Sequence, residues 1–504
     1  MPNPSLWLAL LFAAPIACIL RADESPALAV YKSANYEAAL PLLQSAAAKN
    51  PSDPLIQAAL LTTLVNCDRV EDALAANKQD ETAFPNSPDV LAARGEFAFY
   101  MGDMGAAERL WKSAGKLNDN TARAYFGLAK LYRAASFYRT ARLFCLKAHD
   151  LDPDDAGITR LWLGYVPAEK RRELLGPFMD AHPWLYKFRK QGQETEGAIS
   201  DAVGEDKIYA TEGGPREVTM KFFLLMKTAQ HARGVGLDFR IGNGKPLRML
   251  FDTGASGITV KQSAVDKAGL EHLGSGVSWG AGDKGTRNMF GAVSDTCEVG
   301  TLKFKTCVFG AFEGKNVAGD EDGLIGADFF HDYIVQIDFQ NHTLHLTPLP
   351  QRPSNPQGYD RVIAPEESQF TPVFRFGHML FVTTKVNDRA SGLFLLDTGA
   401  ELSNIDSTFA RMTTKLHGND YLRVKGISGS VKDVYDADKA NLQFGRFKQE
   451  NQGLPAFNLN NAPEHRDVRM SGILGINVLS MFRLTIDYRN GLVNFDYILD
   501  NKKK

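Results

Sequence analysis

The chain has 504 residues, too many for a single hydrophobic core, so two to four domains are expected. Its 57 basic and 59 acidic side chains leave a net charge of −2, which gives no electrostatic basis for binding nucleic acid. Beyond the N-terminus, no apolar run is long enough to span a bilayer, so no integral membrane domain is predicted.

An apolar stretch opens the chain at Leu6–Leu20, and its length suits the core of a signal peptide. We therefore predict a signal peptide over residues 1–22 and export to the periplasm or the extracellular space. Cleavage is expected after Ala22 or after Ala29. No Lys or Arg precedes the stretch, which departs from the usual pattern, and the alternative is a buried N-terminal helix.

Residues 28–190 are rich in Ala and Leu at helical spacing, and they repeat with a period of 34. Tyr36, Val70, Met104 and Tyr138 stand at this interval. The period is typical of paired antiparallel helices stacked into a solenoid. The segments that begin at Tyr36 and Val70 resemble the second helices of tetratricopeptide repeats, so we predict an all-α helical-repeat solenoid over these residues.

Two roles are open for the repeats. Solenoids of this kind usually bind a peptide or a partner protein on the concave face, and the other possibility is a purely structural brace. A further helix is predicted from Glu169 to Lys190. Residues 191–216 are polar and Gly-rich, which predicts a linker between domains.

The tripeptide Asp-Thr-Gly occurs twice in the second part of the chain, at Asp252-Thr253-Gly254 and at Asp397-Thr398-Gly399. Each copy follows an apolar run and precedes Ala. A Gly-apolar-apolar-Gly signature begins at Gly323, 71 residues after the first Asp (323 − 252), and at Gly472, 75 residues after the second (472 − 397). The two segments therefore share one plan, which two chance turns would not require.

Paired carboxylates explain why one chain would carry both copies. Two Asp side chains within hydrogen-bonding distance share one proton, because like charges that close cannot both ionise. The ionised member can then accept a proton from water while the protonated member hydrogen-bonds the attacked carbonyl. We predict that Asp252 and Asp397 are catalytic. The supporting residues are those that can hydrogen-bond across the junction or present a backbone N–H to a carboxylate: Thr253, Gly254, Thr398 and Gly399.

These motifs resemble those of the aspartic proteases, in particular the retropepsin-like branch, with both lobes in one chain as in pepsin-like enzymes. The resemblance covers about residues 217–498 and implies a mainly-β bilobal aspartic protease fold. Lobe 1 would span 217–349, an inter-lobe linker 350–369 and lobe 2 370–499. The resemblance also implies a polypeptide substrate, and no cofactor is expected.

Two Gly-rich segments are candidates for flaps over the cleft. The first contains Trp279, Gly280 and Gly282, and the second contains Ile427 and Gly429. Neither closely matches the flap of pepsin-like enzymes, with its characteristic Tyr. A Trp in such a hairpin is about as often a packing residue as a cover for substrate.

Short apolar stretches at 328–330 and 477–479 predict one small helix in each lobe. Cys297 and Cys307 flank a hairpin turn predicted at Val299-Gly300-Thr301, but they sit unequally about it, so a direct cross-strand disulfide is not expected. The spacing of His, Cys and carboxylate residues does not predict a metal site.

The sequence therefore predicts a multidomain aspartic endopeptidase, an all-α solenoid followed by a mainly-β bilobal fold. An alternative keeps the fold without the activity: a non-catalytic peptide-binding or scaffold protein that acts through the helical repeats. A further alternative has the lobes pairing between two chains.

Overall fold

The computed structural model describes residues 25–498, except 187–188, 205–206, 229–230, 279, 281, 315–320, 352–357, 420, 427 and 462–466. The predicted signal peptide, 1–22, lies outside the described residues. Within the described ranges, no helix combines the length and apolar character needed to cross a membrane.

A series of helices occupies the N-terminal part of the described chain. They are α1 Pro26–Lys32, α2 Tyr36–Lys49, α3 Pro54–Asn66, α4 Val70–Ala83, α5 Pro88–Tyr100, α6 Met104–Leu117, α7 Ala122–Ala134, α8 Tyr138–Leu151, α9 Ala156–Leu163, α10 Ala168–Ala181 and α11 Arg189–Val203.

The predicted repeat is confirmed by where its second helices begin. Helices α2, α4, α6 and α8 start at the four residues of the 34-residue series. Pro54 and Pro88 occupy the first turns of α3 and α5, where a missing N–H costs no hydrogen bond. The helices approach closely because a Cβ at Gly95 or Gly127 would lie within 2.5 Å of the buried Trp111 ring.

Two predictions between the repeats and the lobes are wrong. The single helix predicted from Glu169 to Lys190 is interrupted at Pro183, where a 3₁₀ turn, Pro183–Tyr186, separates α10 from α11. The linker predicted at 191–216 contains most of α11. One face of α11 packs on lobe 1, since a Cβ at Gly291 would lie 2.8 Å from Ile199. Polar composition alone does not distinguish a linker from an amphipathic helix with one narrow buried face.

Lobe 1 contains twelve strands and helix α12 Gln262–Ala268 within the described residues. Its strands are β1 Ala210–Thr211, β2 Val218–Lys221, β3 Phe223–Thr228, β4 His231–Ile241, β5 Leu247–Asp252, β6 Ile258–Lys261, β7 Leu273–Ser278, β8 Arg287–Val299, β9 Leu302–Phe312, β10 Gly323–Gly326, β11 Tyr333–Asp338 and β12 Thr343–Pro348. Because β1 pairs with β9, the lobe begins within the segment predicted as linker.

Lobe 2 repeats this plan with helices α13 Ser407–Thr413 and α14 Ile476–Leu479. Its described strands are β13 Thr371–Pro372, β14 Phe374–Phe376, β15 Met379–Val386, β16 Ala390–Leu396, β17 Asn404–Asp406, β18 Lys415–Gly418, β19 Lys425–Gly426, β20 Gly429–Ser430, β21 Tyr435–Asp438, β22 Leu442–Phe444, β23 Phe447–Gln449, β24 Gly453–Phe457, β25 Gly472–Leu474, β26 Phe482–Asp487 and β27 Leu492–Tyr497.

Three sheets organise the lobes. A nine-stranded sheet belongs to lobe 1 and a ten-stranded sheet to lobe 2. A six-stranded sheet, in the order β13-β27-β26-β11-β12-β2, joins the two lobes through antiparallel pairing of β11 with β26. One apolar core runs through all three, so the lobes form a continuous bilobal unit. The predicted mainly-β fold after the repeats is confirmed.

The small helices predicted after each signature are present, as a 3₁₀ turn at Ala327–Phe330 and as α14. Helices α12 and α13 were not predicted. Both are only seven residues long, too short for a helical period to stand out in the sequence.

The expectation that Cys297 and Cys307 would not pair is wrong, because they form a disulfide with Cα atoms 6.1 Å apart. The reason is that the alternation of buried and exposed side chains along β9 shifts by one residue at Thr306. Thr306 has a positive φ of 54°, and buried positions fall on Phe304 before it but on Cys307 and Phe309 after it. This shift places both sulfurs on the buried face of the β8–β9 hairpin, although they are not directly opposite.

Candidate active site

Strand pairing places the first Asp at the end of a buried strand. Asp252 is the last residue of β5, and Phe251 before it is fully buried. The signature strand β10 lies parallel to β5, with Ile325 opposite Phe251 and Gly326 opposite Asp252. The downstream signature is therefore the hydrogen-bonded neighbour of the strand that carries the carboxylate.

Lobe 2 repeats this arrangement around Asp397. The signature strand β25 lies parallel to β16, with Leu474 opposite Leu396. The N–H of Asp397 donates to the carbonyl of Leu474 at 3.1 Å. Spacings of 71 and 75 residues in the sequence thus correspond to one contact, made once in each lobe.

The two Thr residues join the lobes by reciprocal hydrogen bonds. The hydroxyl of Thr253 donates to the carbonyl of Leu396 at 2.8 Å, and the hydroxyl of Thr398 donates to the carbonyl of Phe251 at the same distance. Each hydroxyl also accepts the N–H of the other Thr, at 3.1 and 3.0 Å. Both residues are buried, so these bonds fix one strand end against the other.

The two Gly residues leave space for the carboxylates because they carry no side chain. The N–H of Gly254 donates to Asp252 and that of Gly399 donates to Asp397, each at 2.8 Å. A Cβ at Gly254 would lie 2.8 Å from Cγ of Asp397, and a Cβ at Gly399 would lie 2.4 Å from Cγ of Asp252. Each Gly thus contacts the carboxyl of the opposite lobe, which requires the two carboxyls to be neighbours.

A side-chain hydrogen bond links the carboxyls of Asp252 and Asp397, which we call the dyad. Burial and then the charge of Asp397 raise the pKa of Asp252 well above its usual range. Burial also raises the pKa of Asp397, but hydrogen bonds from Asp252 and from the N–H groups of Gly399 and Ala400 oppose the increase. The pKa of Asp252 is thus raised further than that of Asp397, as expected of two buried carboxyls that share one proton.

Asp328 and Asn477 support the loops after the dyad, a role that the sequence reasoning missed. Asp328 accepts from the hydroxyl of Ser256 at 2.9 Å and from the N–H of Gly257 at 2.8 Å. Asn477 accepts from the N–H and the hydroxyl of Ser403, at 2.7 and 2.9 Å. Each stands two residues after the last Gly of its signature, and this shared offset was the available signal.

An ion pair that the sequence also did not indicate crosses between the lobes near the second motif. Lys227 in β3 of lobe 1 lies 2.7 Å from Glu401, four residues after Asp397 in the chain. The β3–β4 hairpin therefore reaches across to the loop that follows the dyad residue of lobe 2.

The candidate flap segments meet each other. The hydroxyl of Ser428 accepts the N–H of Gly280 at 3.1 Å and donates to the carbonyl of Gly285 at 2.6 Å. The N–H of Lys284 donates to the carbonyl of Ser428 at 2.7 Å. A Cβ at Gly282 would lie 2.4 Å from the backbone of Ser428, so the contact is tight.

Gly429, in the second segment, contacts the side chain of Lys284. Trp279 and Ile427, the remaining residues of the flap prediction, lie outside the described residues. In the part of the chain that the structure describes, no group of three or more His, Cys, Asp or Glu side chains is arranged to hold a metal ion.

Comparison with known proteins agrees with the geometry of lobe 1. Residues 237–329 match the family model described as aspartyl protease, a range that holds Asp252 and the first signature. Together with the 34-residue helix pairs, this match confirms the predicted organisation: tetratricopeptide-like repeats followed by an aspartic-protease domain. No curated protein matches the chain.

Two solved structures are similar to part of the chain. A thermophilic tetratricopeptide-repeat protein of Thermus thermophilus is 19% identical, with 31% of this chain and 88% of that chain covered and a TM-score of 0.25. The MamA RS-1 ArsTM double mutant is 17% identical, with 32% of this chain and 92% of that chain covered and a TM-score of 0.21.

Proposed function

We propose that this chain is an aspartic endopeptidase whose dyad, Asp252 and Asp397, activates water to hydrolyse peptide bonds. The observation that supports this most is the reciprocal placement of each Gly against the carboxyl of the opposite lobe. It gives one hydrogen-bonded pair of carboxyls from two lobes of the same chain, so no second chain is needed to complete the pair.

The difference in pKa between the two carboxyls of the dyad assigns a catalytic role to each. Asp397, which ionises first, accepts a proton from water as the water attacks the scissile carbonyl. Asp252, which holds its proton, donates a hydrogen bond to the carbonyl oxygen and stabilises the negative charge that develops there. As the tetrahedral intermediate collapses, the proton taken up by Asp397 passes to the leaving amine. The step requires neither a metal nor a covalent intermediate.

The substrate of this proposal is a polypeptide that lies in the cleft between the lobes. We propose that the contact between the Ser428 and Gly280–Gly285 segments, which joins one lobe to the other, closes over this cleft, so that the segments separate before a long chain enters. Opening of this contact would precede each catalytic cycle.

The test measures cleavage of a diverse peptide mixture by the purified full-length chain from acidic to neutral pH. Asp252→Asn and Asp397→Asn are each expected to lower the rate by at least about a thousandfold, since each removes one proton-transfer group. Asp238→Asn is the matched control, because Asp238 is an exposed carboxylate on strand β4 of the same lobe. Substantial activity in either dyad variant would contradict the shared mechanism.

A transition-state-mimicking inhibitor of aspartic proteases separates this proposal from the scaffold alternative. Cleavage that the inhibitor blocks contradicts a passive protease fold. Absence of cleavage by the wild-type chain, with no inhibitor binding, would favour a protein that acts through its repeats.

We further propose that the protein is exported. The disulfide between Cys297 and Cys307 supports this, because such bonds persist in oxidising compartments outside the cytosol. The apolar stretch Leu6–Leu20 agrees with it. N-terminal sequencing of protein recovered from cell fractions tests the proposal: an exported chain that has lost about its first 22 residues is expected, and an unprocessed cytosolic chain would contradict it.

A further inference from the structure

A row of equivalent turns runs along one edge of the repeat domain. The turns between the two helices of successive repeats each contain one residue with positive φ, and these residues stand 34 positions apart. They are Ala34, Asp68, Gly102 and Ser136, with φ values of 57°, 54°, 85° and 63°. We call these four turns the turn row.

Asp68, in the second turn, binds lobe 2 through Arg469. The guanidinium lies 2.5 Å from the Asp68 carboxylate and 3.6 Å from that of Asp406, which caps α13 of lobe 2. Only 7% of the Arg469 side chain is exposed, so its charge is held between these partners at the boundary of the two domains.

Gly102, in the third turn, lies against the strand that leads to Asp397. A Cβ at Gly102 would lie 2.8 Å from the backbone nitrogen of Leu393 and 3.3 Å from Cα of Gly392. In the same turn, the carbonyl of Tyr100 accepts the N–H of Arg469 at 2.7 Å. Backbone therefore packs directly on backbone, which leaves no room for a side chain.

Ser136, in the fourth turn, contacts lobe 2 and the inter-lobe linker, residues 350–369. Its carbonyl accepts the N–H of Arg361 at 2.9 Å, and its hydroxyl would lie 2.9 Å from a Cβ at Gly491. Next to it, Asp360 of the linker accepts from the N–H and the hydroxyl of Thr140, each at 2.9 Å.

The first turn of the row contacts another part of the helical domain. The indole of Trp184 donates to the carbonyl of Ser33 at 3.0 Å, and Lys32 lies 3.3 Å from Asp152. The end of the solenoid therefore contacts its start, while the other three turns face the protease domain.

Apolar packing reinforces this contact. Leu393, Leu395 and Ile473 of lobe 2 share one buried cluster with Phe99 and Trp111 of the repeats. Leu393 and Leu395 alternate along β16 with Phe394 and Leu396, which belong to the core of the lobes. The repeat domain thus covers the face of the catalytic strand that the lobes leave free.

A short path connects Arg469 to the dyad. Two residues later, Ser471 donates its N–H to the carbonyl of Leu393 at 2.8 Å, and its hydroxyl accepts the N–H of Leu393 at 3.2 Å. Strand β25 follows at once and ends at Leu474, whose carbonyl accepts the N–H of Asp397. Arg469 is therefore connected to Asp397 through a continuous hydrogen-bonded strand pair.

We propose that the turn row is a docking edge that positions the catalytic strand of lobe 2, and that Arg469 is a positioning residue for Asp397. The repeat domain then serves the chemistry from within the same molecule, through the edge that the turn row forms. The catalytic consequence rests on the proposed function, but the docking itself does not.

The principal test compares Gly102→Ala with Gly214→Ala in the full-length chain. Gly214 has a φ of 83°, close to the 85° of Gly102, but nothing lies within 4 Å of its Cβ position. Backbone strain is therefore matched, and only Gly102→Ala pushes the turn away from Leu393. We expect kcat to fall tenfold to a hundredfold in Gly102→Ala with KM nearly unchanged, since a small misplacement of a catalytic group costs about that much.

Hydrogen exchange gives a readout that needs no activity. Amides of residues 393–397 and 472–474 are expected to exchange faster in Gly102→Ala and to stay unchanged in Gly214→Ala. Asp68→Gly is the second variant, because Gly tolerates the positive φ of the turn, and the change removes the carboxylate that binds Arg469 and accepts from the hydroxyl of Tyr100. If Gly102→Ala does not fold, Asp68→Gly alone decides.

Faster exchange at the two strands in the variants supports docking, and a fall in kcat with it supports positioning. Exchange and kcat equal to those of the control would overturn the proposal. If the wild-type chain cleaves no peptide but the variants still show faster exchange at the two strands, the proposed function is contradicted and the docking edge remains supported.

Discussion

Thr253 and Thr398 exchange hydrogen bonds across the two lobes, each hydroxyl accepting the N–H of the other residue while donating to a carbonyl of the opposite strand. Four hydrogen bonds between two buried residues and the opposite strands therefore tie together the strand ends that carry the dyad. The relationship is nearly symmetric, as expected of two lobes built on one plan.

Thr253→Ala and Thr398→Ala should each destabilise the fold by about 1–3 kcal/mol, because each leaves buried groups of the opposite lobe without a partner. Chemical unfolding and peptide cleavage measure the effect. Thr→Ser at the same positions is the control, since it retains the hydroxyl. The double Ala variant should cost less than the sum of the single variants, because both changes break the same network.

Gly399→Ala should abolish activity, because its Cβ would lie 2.4 Å from Cγ of Asp252 and the two carboxyls would have to separate. Gly254→Ala should act in the same direction. Gly418→Ala is the control, as nothing lies within 4 Å of its Cβ position. Cleavage rates and inhibitor affinity provide the measurement, and an active Gly399→Ala variant would show that the carboxyls are not this close.

Asp252→Asn should stabilise the protein increasingly as pH rises above about 4, the ordinary pKa of Asp. The raised pKa means that the folded state binds a proton that the unfolded state has already released, so the stability contributed by Asp252 is present at low pH and is lost as pH rises. Asn carries no charge and removes this loss. Thermal midpoints of wild type and variant, measured from about pH 3 to about pH 8, test this prediction. A difference in Tm between variant and wild type that decreases as pH rises would contradict it.

Ser428→Ala should loosen the contact between the flap segments, because the hydroxyl makes two hydrogen bonds across it. Each is worth about 1 kcal/mol, so amides at 280–285 should exchange roughly tenfold faster or more. Ser430→Ala is the matched control, since Ser430 is exposed and contributes its backbone carbonyl to the N–H of Asp283. Equal exchange in the two variants would mean that the hydroxyl does not hold the segments together.

Replacing Cys297 and Cys307 together by Ala should lower the stability of lobe 1 by about 2–4 kcal/mol, because the unfolded chain gains the freedom that the disulfide removes. Unfolding monitored with and without reductant measures this. Cys67→Ala, which removes a thiol outside the disulfide, should leave the reductant sensitivity unchanged.

Much of the fold could be predicted from patterns that repeat in the sequence. The series Tyr36, Val70, Met104 and Tyr138 located the start of each second helix, because helix pairs of constant length return apolar or aromatic residues to equivalent positions. The doubled Asp-Thr-Gly and its downstream signatures predicted two equivalent lobes for the same reason. Local deviations were missed: the helix α11 in a polar segment, and the positive φ of Thr306 that lets Cys307 reach Cys297.

The sequence by itself determined that two lobes would carry one Asp each and that a 34-residue helical repeat would precede them, since these follow from local spacing and residue type. Only the tertiary structure decided that the pKa of Asp252 is raised further than that of Asp397, because burial and unequal hydrogen bonding set that difference. It also decided that Asp68 and Gly102 face Arg469 and Leu393, contacts between residues hundreds of positions apart. No periodicity encodes such contacts, because they depend on how separately folded units pack.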